Sequence, residues 1–227
     1  MHLPISDKIE LNILHQNSHQ AEKNKIKFNN YNLLCLNIMS SPGAGKTRLL
    51  EITLEDLSKK FHSAVLEGDM TTNLDAARLE KLNIPVVPIT TGRACHLDAN
   101  MVSGGLKLLE KKINPDLLDI LLVENVGNLV CPAEFEIGEH FKVALLSITE
   151  GEDKPLKYPI MFREADLILI TKVDLLPHLD FDINELKFNI LSTNPKADVI
   201  EISSITKSGF DLWQDWISKK ILKFKNN

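Results

Sequence analysis

Short apolar runs, separated by stretches with helical periodicity, recur along this chain of 227 residues. Apolar runs bounded by turn residues are typical of strands that are buried on both faces of a sheet. The predicted strands cover residues 33–39, 63–67, 86–89, 120–123, 143–148, 167–170 and 199–202. The predicted helices cover residues 46–60, 75–82, a stretch that ends near 112, and 209–224. This alternation predicts an α/β fold with a doubly wound, mostly parallel seven-stranded sheet.

The N-terminal residues have a different pattern. Residues 5–28 are mostly polar, and their apolar positions predict an amphipathic helix on the main domain: Ile5, Ile9, Ile13 and Leu14. Three histidines in this region, at positions 2, 15 and 19, lie in polar sequence and receive no role. We predict an N-terminal helical extension, residues 1–30, and one nucleotide-binding domain, residues 31–227.

Composition excludes several classes of protein. Hydrophobic residues make up 44% and charged residues 25%, as in an ordinary soluble domain. A net charge of −5 and the lack of a basic run argue against a nucleic-acid surface. No apolar run approaches the roughly 20 residues of a membrane helix, and the polar start does not look like a signal peptide. A cytoplasmic location with reduced thiols at Cys35, Cys95 and Cys131 is the expectation.

The first predicted strand breaks into the sequence SSPGAGKT, residues 40–47. Glycines in this loop allow the backbone N–H groups to turn inward, and the following helix points its positive end at the same place. The side chain of Lys46 adds a full positive charge, and Thr47 is placed to bind Mg²⁺. Ser40 stands where the strict pattern has glycine, at its least demanding position. The predicted phosphate cradle consists of Gly43, Ala44, Gly45, Lys46, Thr47 and Arg48.

Acidic residues end two of the predicted strands. Asp69 follows the second strand and Glu124 the fourth, where ligands bind in an open α/β sheet. We expect Thr47, Asp69 and Glu124 to hold Mg²⁺, and Gly127 to sense the γ-phosphate. Asp75 fits a helix cap better, but Asp69 and Asp75 are both candidates for positioning the hydrolytic water. Slow turnover is expected, because no glutamine occupies an evident position for that task.

The sixth strand leads into the sequence TKVD, residues 171–174. A carboxylate at Asp174 can accept both the N1 and N2 protons of guanine, while the stem of Lys172 packs on the base. Adenine offers neither proton in that geometry, so GTP is the predicted nucleotide. Thr171 replaces the commoner asparagine and is expected to lose some hydrogen bonding in the loop. Backbone N–H groups near Ser203 and Ser204 are placed to reach guanine O6.

Cys95, His96 and Cys131 are candidate metal ligands. Cys35 lies within the first strand and is expected to be buried. The pair at 95 and 96 precedes a predicted helix, whose N-terminal field favours a thiolate. Since adjacent side chains diverge in an extended backbone, one chain would find it hard to wrap an ion with this pair alone. Two copies around a twofold axis, with each Cys131 in reserve, would suit Zn²⁺ or Ni²⁺.

Cys131 also lies four residues after Gly127, in a segment that would rearrange when a γ-phosphate arrives or leaves. Nucleotide state would then control the position of a thiol, and metal would change GTP affinity by the same factor as GTP changes metal affinity. The hypothesis is that GTP closes a dimer and that hydrolysis reopens it and passes the metal on.

These motifs together resemble the HypB family of hydrogenase nickel-incorporation GTPases, within the SIMIBI class of P-loop GTPases. The resemblance covers residues 33–222, and its most specific motif is ENVGNLVCP at residues 124–132. It implies a slow GTPase that works as a dimer and delivers nickel to the large subunit of [NiFe]-hydrogenase with a HypA-like partner. It also implies that the family's interfacial metal site falls on Cys95, His96 and Cys131. By the same resemblance, Lys154 would reach the partner subunit's nucleotide.

Some members of the family carry an N-terminal cysteine cluster or a histidine-rich tract, and this sequence has neither, so nickel storage is not expected. Three other functions remain open at this point. A urease-type nickel chaperone of the same class is disfavoured by residues 125–128, NVGN. A metal-binding module with a purely structural nucleotide site, and a small-molecule kinase, would be distinguished by measured GTP turnover and by transfer of phosphate from ATP.

Overall fold

The computed structural model describes residues 5–70 and 74–226, with residues 5–11 described by their backbone alone. Its strands are β1 Leu34–Ser40, β2 Ser63–Asp69, β3 Val86–Thr90, β4 Ile120–Glu124, β5 Phe141–Ser147, β6 Leu167–Thr171 and β7 Asp198–Ile202. They form one sheet in the order β3-β2-β4-β1-β5-β6-β7, and every pairing is parallel. The doubly wound sheet is therefore confirmed, and it is fully rather than mostly parallel.

Helices cover both faces of this sheet. They are α1 Ile5–Asn30, α2 Lys46–Leu57, α3 Leu74–Glu80, α4 Ala99–Lys112, α5 Cys131–Glu134, α6 Lys154–Lys157, α7 Pro159–Glu164, α8 Ile183–Thr193 and α9 Phe210–Lys225. Short 3-10 turns lie at Pro115–Leu117, Ile148–Glu150 and Val173–His178. None of the described helices is both long and apolar enough to cross a bilayer.

Alternate residues of β1 point into two different layers of the core. Leu34, Leu36 and Ile38 face a cluster that includes residues of α2, α3 and α9. On that side Trp213 is fully buried, and its indole N–H donates to Thr53 Oγ1 at 2.8 Å, so its polar group is satisfied. Cys35 faces the opposite layer, where residues of α4 and Phe28 of α1 pack. Burial of Cys35 inside β1 was predicted and is confirmed.

Helix α1 packs on α4 and β1, and of its predicted apolar positions Leu14 lies in line with the buried residues, whereas Ile13 does not. Ile13 is 51% exposed, whereas Ala21 and Phe28 are buried. The side chains of Ile5 and Ile9 lie outside the described residues, as does His2. Two buried asparagines, Asn17 and Asn24, contribute to the same packed face. The helix is held largely by hydrogen bonds from these amides, which a search for apolar periodicity does not detect.

Several helices were missed. Helix α8, capped by the side chain of Asp182, was not predicted. The one- and two-turn helices α5, α6 and α7 each have proline in the first turn. They are too short for a 3.6-residue period to appear, so the sequence showed them only as loop.

Candidate functional site

The phosphate cradle lies between β1 and α2 at the carboxyl edge of the sheet. Gly43 and Gly45 have φ values of +77° and +101°, a left-handed conformation that strongly favours glycine. The ammonium of Lys46 is buried and donates to Ser40 Oγ at 2.8 Å. The serine that replaces the usual glycine therefore serves as an acceptor for Lys46. Burial lowers the pKa of Lys46, and the negative field of Glu124 opposes that shift.

Lys46 faces a cavity of about 420 Å³, which lies beside the glycine loop and the ends of β2 and β4. The predicted phosphate and Mg²⁺ residues that line it are Gly43, Gly45, Lys46, Thr47, Arg48, Asp69, Asp75, Glu124 and Gly127. Ala44 is buried beneath the loop. The structure thus brings together residues that are far apart in sequence.

Thr47 and Glu124 are in direct contact within this cavity. The Thr47 hydroxyl donates to Glu124 Oε1 at 2.7 Å, and Glu124 Oε2 is buried without a hydrogen-bond partner among the described residues. Burial raises the pKa of Glu124 to about 7, against the opposing effects of Lys46 and Thr47. A hydroxyl beside an unpartnered carboxylate oxygen is a donor set that fits Mg²⁺, because this ion prefers hard oxygen ligands. Asp69, at the end of the adjacent strand β2, lines the same cavity, and its part in binding Mg²⁺ stays a prediction.

Glu67 is a site residue that the sequence analysis did not single out. It pairs in register with Glu124 across β2 and β4, is 3% exposed, and has an Oε2 without a hydrogen-bond partner in the described structure. Burial, followed by the charges of Glu124 and Asp69, raises the pKa of Glu67 to about 8. The signal was present: residues 67 and 69 of one strand point to the same face, so Glu67 had to share the site with Asp69.

Asp75 lies in the first turn of α3 and makes an ion pair with Arg78 at 3.0 Å. The prediction that it caps the helix is therefore wrong, because α3 already includes residue 74. Arg78 also binds Glu51 of α2 at 2.8 Å, and Arg48 binds Glu51 at 3.0 Å. These ion pairs connect α3 to α2. Asp75 and Arg48 line the cavity, and each is already paired with an oppositely charged side chain.

Gly127 lies directly against the phosphate cradle. A Cβ atom at this position would come within 2.9 Å of Pro42 Cα, closer than real Cβ atoms approach backbone. Only glycine lets residues 126–128 pack this closely on the loop. The segment 126–128 is therefore in direct contact with the cradle, where a change in the bound phosphates would reach it first.

The predicted guanine segment is joined to the cradle from the other side. The Thr171 hydroxyl donates to Ala44 O at 2.8 Å, so this threonine does make a loop hydrogen bond, contrary to the expected loss. Lys172 has a φ of +60°, a left-handed conformation that is costly for a residue with a Cβ atom. That backbone turn orients the residues that follow, including Asp174.

Ser203 holds Asp174 in place. The Ser203 hydroxyl donates to Asp174 Oδ1 at 2.5 Å and accepts from the backbone N–H groups of Ile205 and Thr206. Ser203 is fully buried, so its side chain positions the carboxylate. In the loop that follows β7, the N–H of Ser203 donates to Ser208 O, whereas that of Ser204 has no partner within the described chain.

The two cysteines and the histidine of the predicted metal site meet within one chain. Cys95 Sγ lies 3.2 Å from Cys131 Sγ and 3.9 Å from His96 Nδ1. One ligand atom from each residue lies within 4.8 Å of the others. Cys131 at the start of α5 approaches the pair directly, so one chain brings three ligand atoms together, and a metal site at a dimer interface stays a prediction.

The chemical state of these groups suits a borderline-soft metal ion. Burial lowers the pKa of His96, so its imidazole is neutral and able to coordinate, and its ring packs on Phe135 with centroids 4.1 Å apart. Burial, followed by the hydrogen bond with Cys95, raises the pKa of the Cys131 thiol. Coordination therefore displaces a proton. Two sulfurs and one nitrogen match the ligand preference of Ni²⁺ and Zn²⁺.

The N-terminal N–H groups of α4, which were expected to stabilise a thiolate, bind other acceptors. Its N-cap Asp98 accepts from Met101 N–H at 2.7 Å, and Asn17 of α1 accepts from Ala99 N–H at 2.9 Å. These groups satisfy the first turn of α4. Asn17 Nδ2 also donates to Glu136 O, so α1 contacts both the end of the Cys95 loop and the segment after α5.

Comparison with known proteins connects these sites to a family. A family model described as the CobW/HypB/UreG nucleotide-binding domain matches residues 34–201. The hydrogenase maturation factor HypB of Azotobacter vinelandii is 49% identical over 214 residues, which cover 94% of this chain and 69% of that protein. The chain belongs to the HypB family. The family resemblance inferred from the motifs is thereby confirmed.

Solved structures agree with this assignment. HypB from Helicobacter pylori, in a crystal structure described as a complex with nickel, is 39% identical and matches with a TM-score of 0.87 over 92% of this chain and 96% of that one. The 54 kDa signal recognition particle protein of Aeropyrum pernix, in complex with GDP, is 10% identical with a TM-score of 0.53, over 75% of this chain and 41% of that one. The second likeness shows a shared P-loop GTPase fold alone.

Lys154, a predicted site residue, lies outside the interactions described so far. It is the first residue of α6, and its ammonium lies 5.3 Å from the centroid of the Tyr158 ring. Its approach to a partner subunit's nucleotide stays a prediction. His15 and His19 of α1 are exposed.

Proposed function

We propose that this HypB-family chain is a GTP-hydrolysing metallochaperone that binds Ni²⁺ at Cys95, His96 and Cys131 and assists nickel insertion into [NiFe]-hydrogenase. One observation carries the proposal: three ligand atoms converge within 4.8 Å, and one of them belongs to Cys131, four residues after the glycine that packs against the phosphate cradle. A metal site in that position is suited to respond to the nucleotide. Zn²⁺ accepts the same ligands, and the choice between the ions rests on supply.

In the proposed reaction, water attacks the γ-phosphorus of GTP, the bond to the β–γ bridging oxygen breaks, and GDP and phosphate leave. Lys46 and the backbone of residues 43–47 bind the phosphates, and their charge stabilises the oxygens on which negative charge develops. Thr47, Glu124 and Asp69 would hold Mg²⁺, which would supply positive charge beside the phosphates. Asp69 and Asp75 are the candidates for orienting the water.

Recognition of guanine is assigned to Asp174, with Lys172 against the base. The contact from Ser203 fixes one carboxylate oxygen, so Asp174 is preorganised for the paired N1 and N2 donors. The free N–H of Ser204 is the donor proposed for guanine O6. An adenine base would leave the carboxylate unpaired, which is how such a site discriminates strongly.

The metal site leaves a position open for a ligand from outside the chain. Three ligands from one chain leave a tetrahedral ion with an open position, which a second copy, a water molecule or a cargo-receiving protein can fill. We propose that GTP promotes a homodimer with the metal at its interface and Lys154 reaching across it. A HypA-like nickel chaperone and the hydrogenase large subunit are the proposed partners, in the cytoplasm.

The test is GTP turnover and assembly measured on the same preparation. Wild type should release phosphate slowly from GTP, and light scattering should give a larger mass with a non-hydrolysable GTP analogue than with GDP. Lys46→Ala should lose turnover, while Lys60→Ala, an exposed lysine just beyond α2, should keep it. Full turnover in Lys46→Ala, or identical mass with both nucleotides, would contradict the proposal.

A further inference from the structure

Asn125 is a fully buried residue between the two proposed sites. It follows Glu124 at the end of β4 and precedes the segment that packs on the phosphate cradle. Its Oδ1 accepts two backbone hydrogen bonds, from Leu97 N–H and from Val126 N–H, each at 2.9 Å. Leu97 directly follows His96. A single carboxamide oxygen thus connects the loop that carries two metal ligands to the segment that faces the γ-phosphate.

The rest of Asn125 is fixed to the sheet. Its backbone N–H donates to Ile38 O at 3.0 Å, and its Nδ2 donates to Asn37 Oδ1 at 3.2 Å, both on β1. Asn37 in turn donates to the buried Glu139. The carboxamide therefore has a defined orientation, and its oxygen is aimed at the two loops.

Leu97 is held equally closely. Its side chain is fully buried against Gly68 of β2, where a Cβ atom would come within 2.6 Å of Leu97 Cγ. The loop from Cys95 to Leu97 is thus fixed at two points of Leu97: its side chain packs on β2, and its backbone N–H donates to Asn125. Leaving a buried N–H without an acceptor costs free energy, so a movement of Asn125 should move this loop with it rather than break the hydrogen bond.

The two halves of the metal site connect to the nucleotide by different routes. Cys131 lies on the same covalent segment as Gly127, so a movement there reaches this thiol through the chain. Cys95 and His96 lie more than twenty residues earlier, and Asn125 is their hydrogen-bonded connection to residue 126. The geometry points to Asn125 as the positioning residue that makes Cys95 and His96 move with Cys131 when the nucleotide changes. This inference rests on the proposed function, because it concerns how GTP regulates the same metal site.

The experiment measures Ni²⁺ affinity with GDP and with a non-hydrolysable GTP analogue, by the thiolate-to-nickel absorption band. Coupling is the ratio of the two affinities, expected to be on the order of tenfold in wild type. Asn125→Ala should reduce the ratio to within about twofold of unity, while each nucleotide and Ni²⁺ still bind separately. Asn37→Ser, which leaves the bonds to residues 97 and 126 in place, should keep most of it.

A matched control is Asn194→Ala. Asn194 is also buried and donates to three backbone carbonyls, but these belong to residues 162, 163 and 165, away from both sites. It should keep the wild-type ratio even where stability falls. Wild-type coupling retained in Asn125→Ala overturns the role of Asn125 while leaving the proposed function intact. No coupling in wild type overturns the nucleotide control on which the inference depends.

A second measurement needs no variant and guards against a misfolded one. Amide hydrogen exchange at Leu97 and Val126 in wild type should change together when the GTP analogue replaces GDP. Exchange at Leu97 that is the same with both nucleotides would contradict the coupling role, whatever happens to the variants.

Discussion

The Thr47 hydroxyl donates to Glu124 Oε1 across 2.7 Å, which joins the phosphate cradle to the end of β4. Because the other Glu124 oxygen is buried and unpartnered in the described chain, the pair is arranged to receive a cation. The same pair begins the path to the metal site, since Glu124 precedes the residues that contact both the cradle and the Cys95 loop.

Replacing Glu124 with glutamine tests that arrangement. The amide keeps the shape but loses the negative charge, so Glu124→Gln should need more Mg²⁺ and lower GTP turnover by about 10²-fold or more. Steady-state phosphate release over a Mg²⁺ titration measures both effects. Glu55→Gln, on the exposed side of α2, is the matched control and should behave as wild type. Unchanged Mg²⁺ dependence in Glu124→Gln would refute its role.

Asp174→Asn should change base specificity rather than abolish binding. The amide has one acceptor oxygen instead of two and no negative charge, so it cannot accept the guanine N1 and N2 protons together, and GTP affinity should fall by about 10²-fold or more. Xanthine carries an oxygen at C2 in place of the amino group, and the asparagine NH₂ can donate to it. Competition between XTP and GTP measures this change in base preference. Equal preference for GTP in wild type and variant would place the base elsewhere.

The buried carboxyl of Glu67 predicts a pH-dependent stability. Its pKa of about 8 in the folded chain lies above the ordinary value of 4.5, so the folded state holds a proton that the unfolded state releases between these values. The free energy of unfolding contributed by this group is therefore lost as pH rises through 8. Glu67→Gln removes the effect, so the free energy of unfolding of wild type should fall by about 3 kcal/mol more than that of the variant as pH rises from 5.5 to 8.5. Urea unfolding without nucleotide or metal measures it, and parallel pH profiles would contradict the assignment.

Mild oxidation should join Cys95 to Cys131. Their sulfurs lie 3.2 Å apart and need only a small approach to form a bond. Diamide would take two electrons and two protons from the thiols and become the hydrazine, leaving Cys35 as the one free thiol of the three cysteines. Thiol titration in denaturant, after removal of the diamide, measures this count, and Ni²⁺ bound first should protect the pair. Cys131→Ser should keep both of its thiols, and three remaining thiols in oxidised wild type would refute the proximity.

Much of the fold was accessible from sequence because the strands are strongly apolar and end in motifs with fixed geometry. Residues 33–47 show strand, turn, lysine and threonine in the order that is typical of a phosphate loop. The exposure of Ile13 in α1 was not predicted, and hydrophobic periodicity counts Asn17 and Asn24 as exposed although both are buried. Short helices such as α5 give no periodic signal at all.

The candidate site was predictable in its members and less so in its geometry. The ligand types at Cys95, His96 and Cys131 pointed to a soft metal, but their convergence within one chain depends on how α5 packs, which no local pattern encodes. Glu67 was recoverable from strand alternation. Asn125 was not, because its role depends on two backbone donors, one of them 28 residues away in sequence.

The most direct test of the account is Ni²⁺ binding to the wild-type chain, measured by equilibrium dialysis with Mg²⁺ and either GDP or a non-hydrolysable GTP analogue. The account predicts one site per chain that needs Cys95 and Cys131, with affinity at least about fivefold tighter in the presence of the analogue. Equal affinity with the two nucleotides would contradict it.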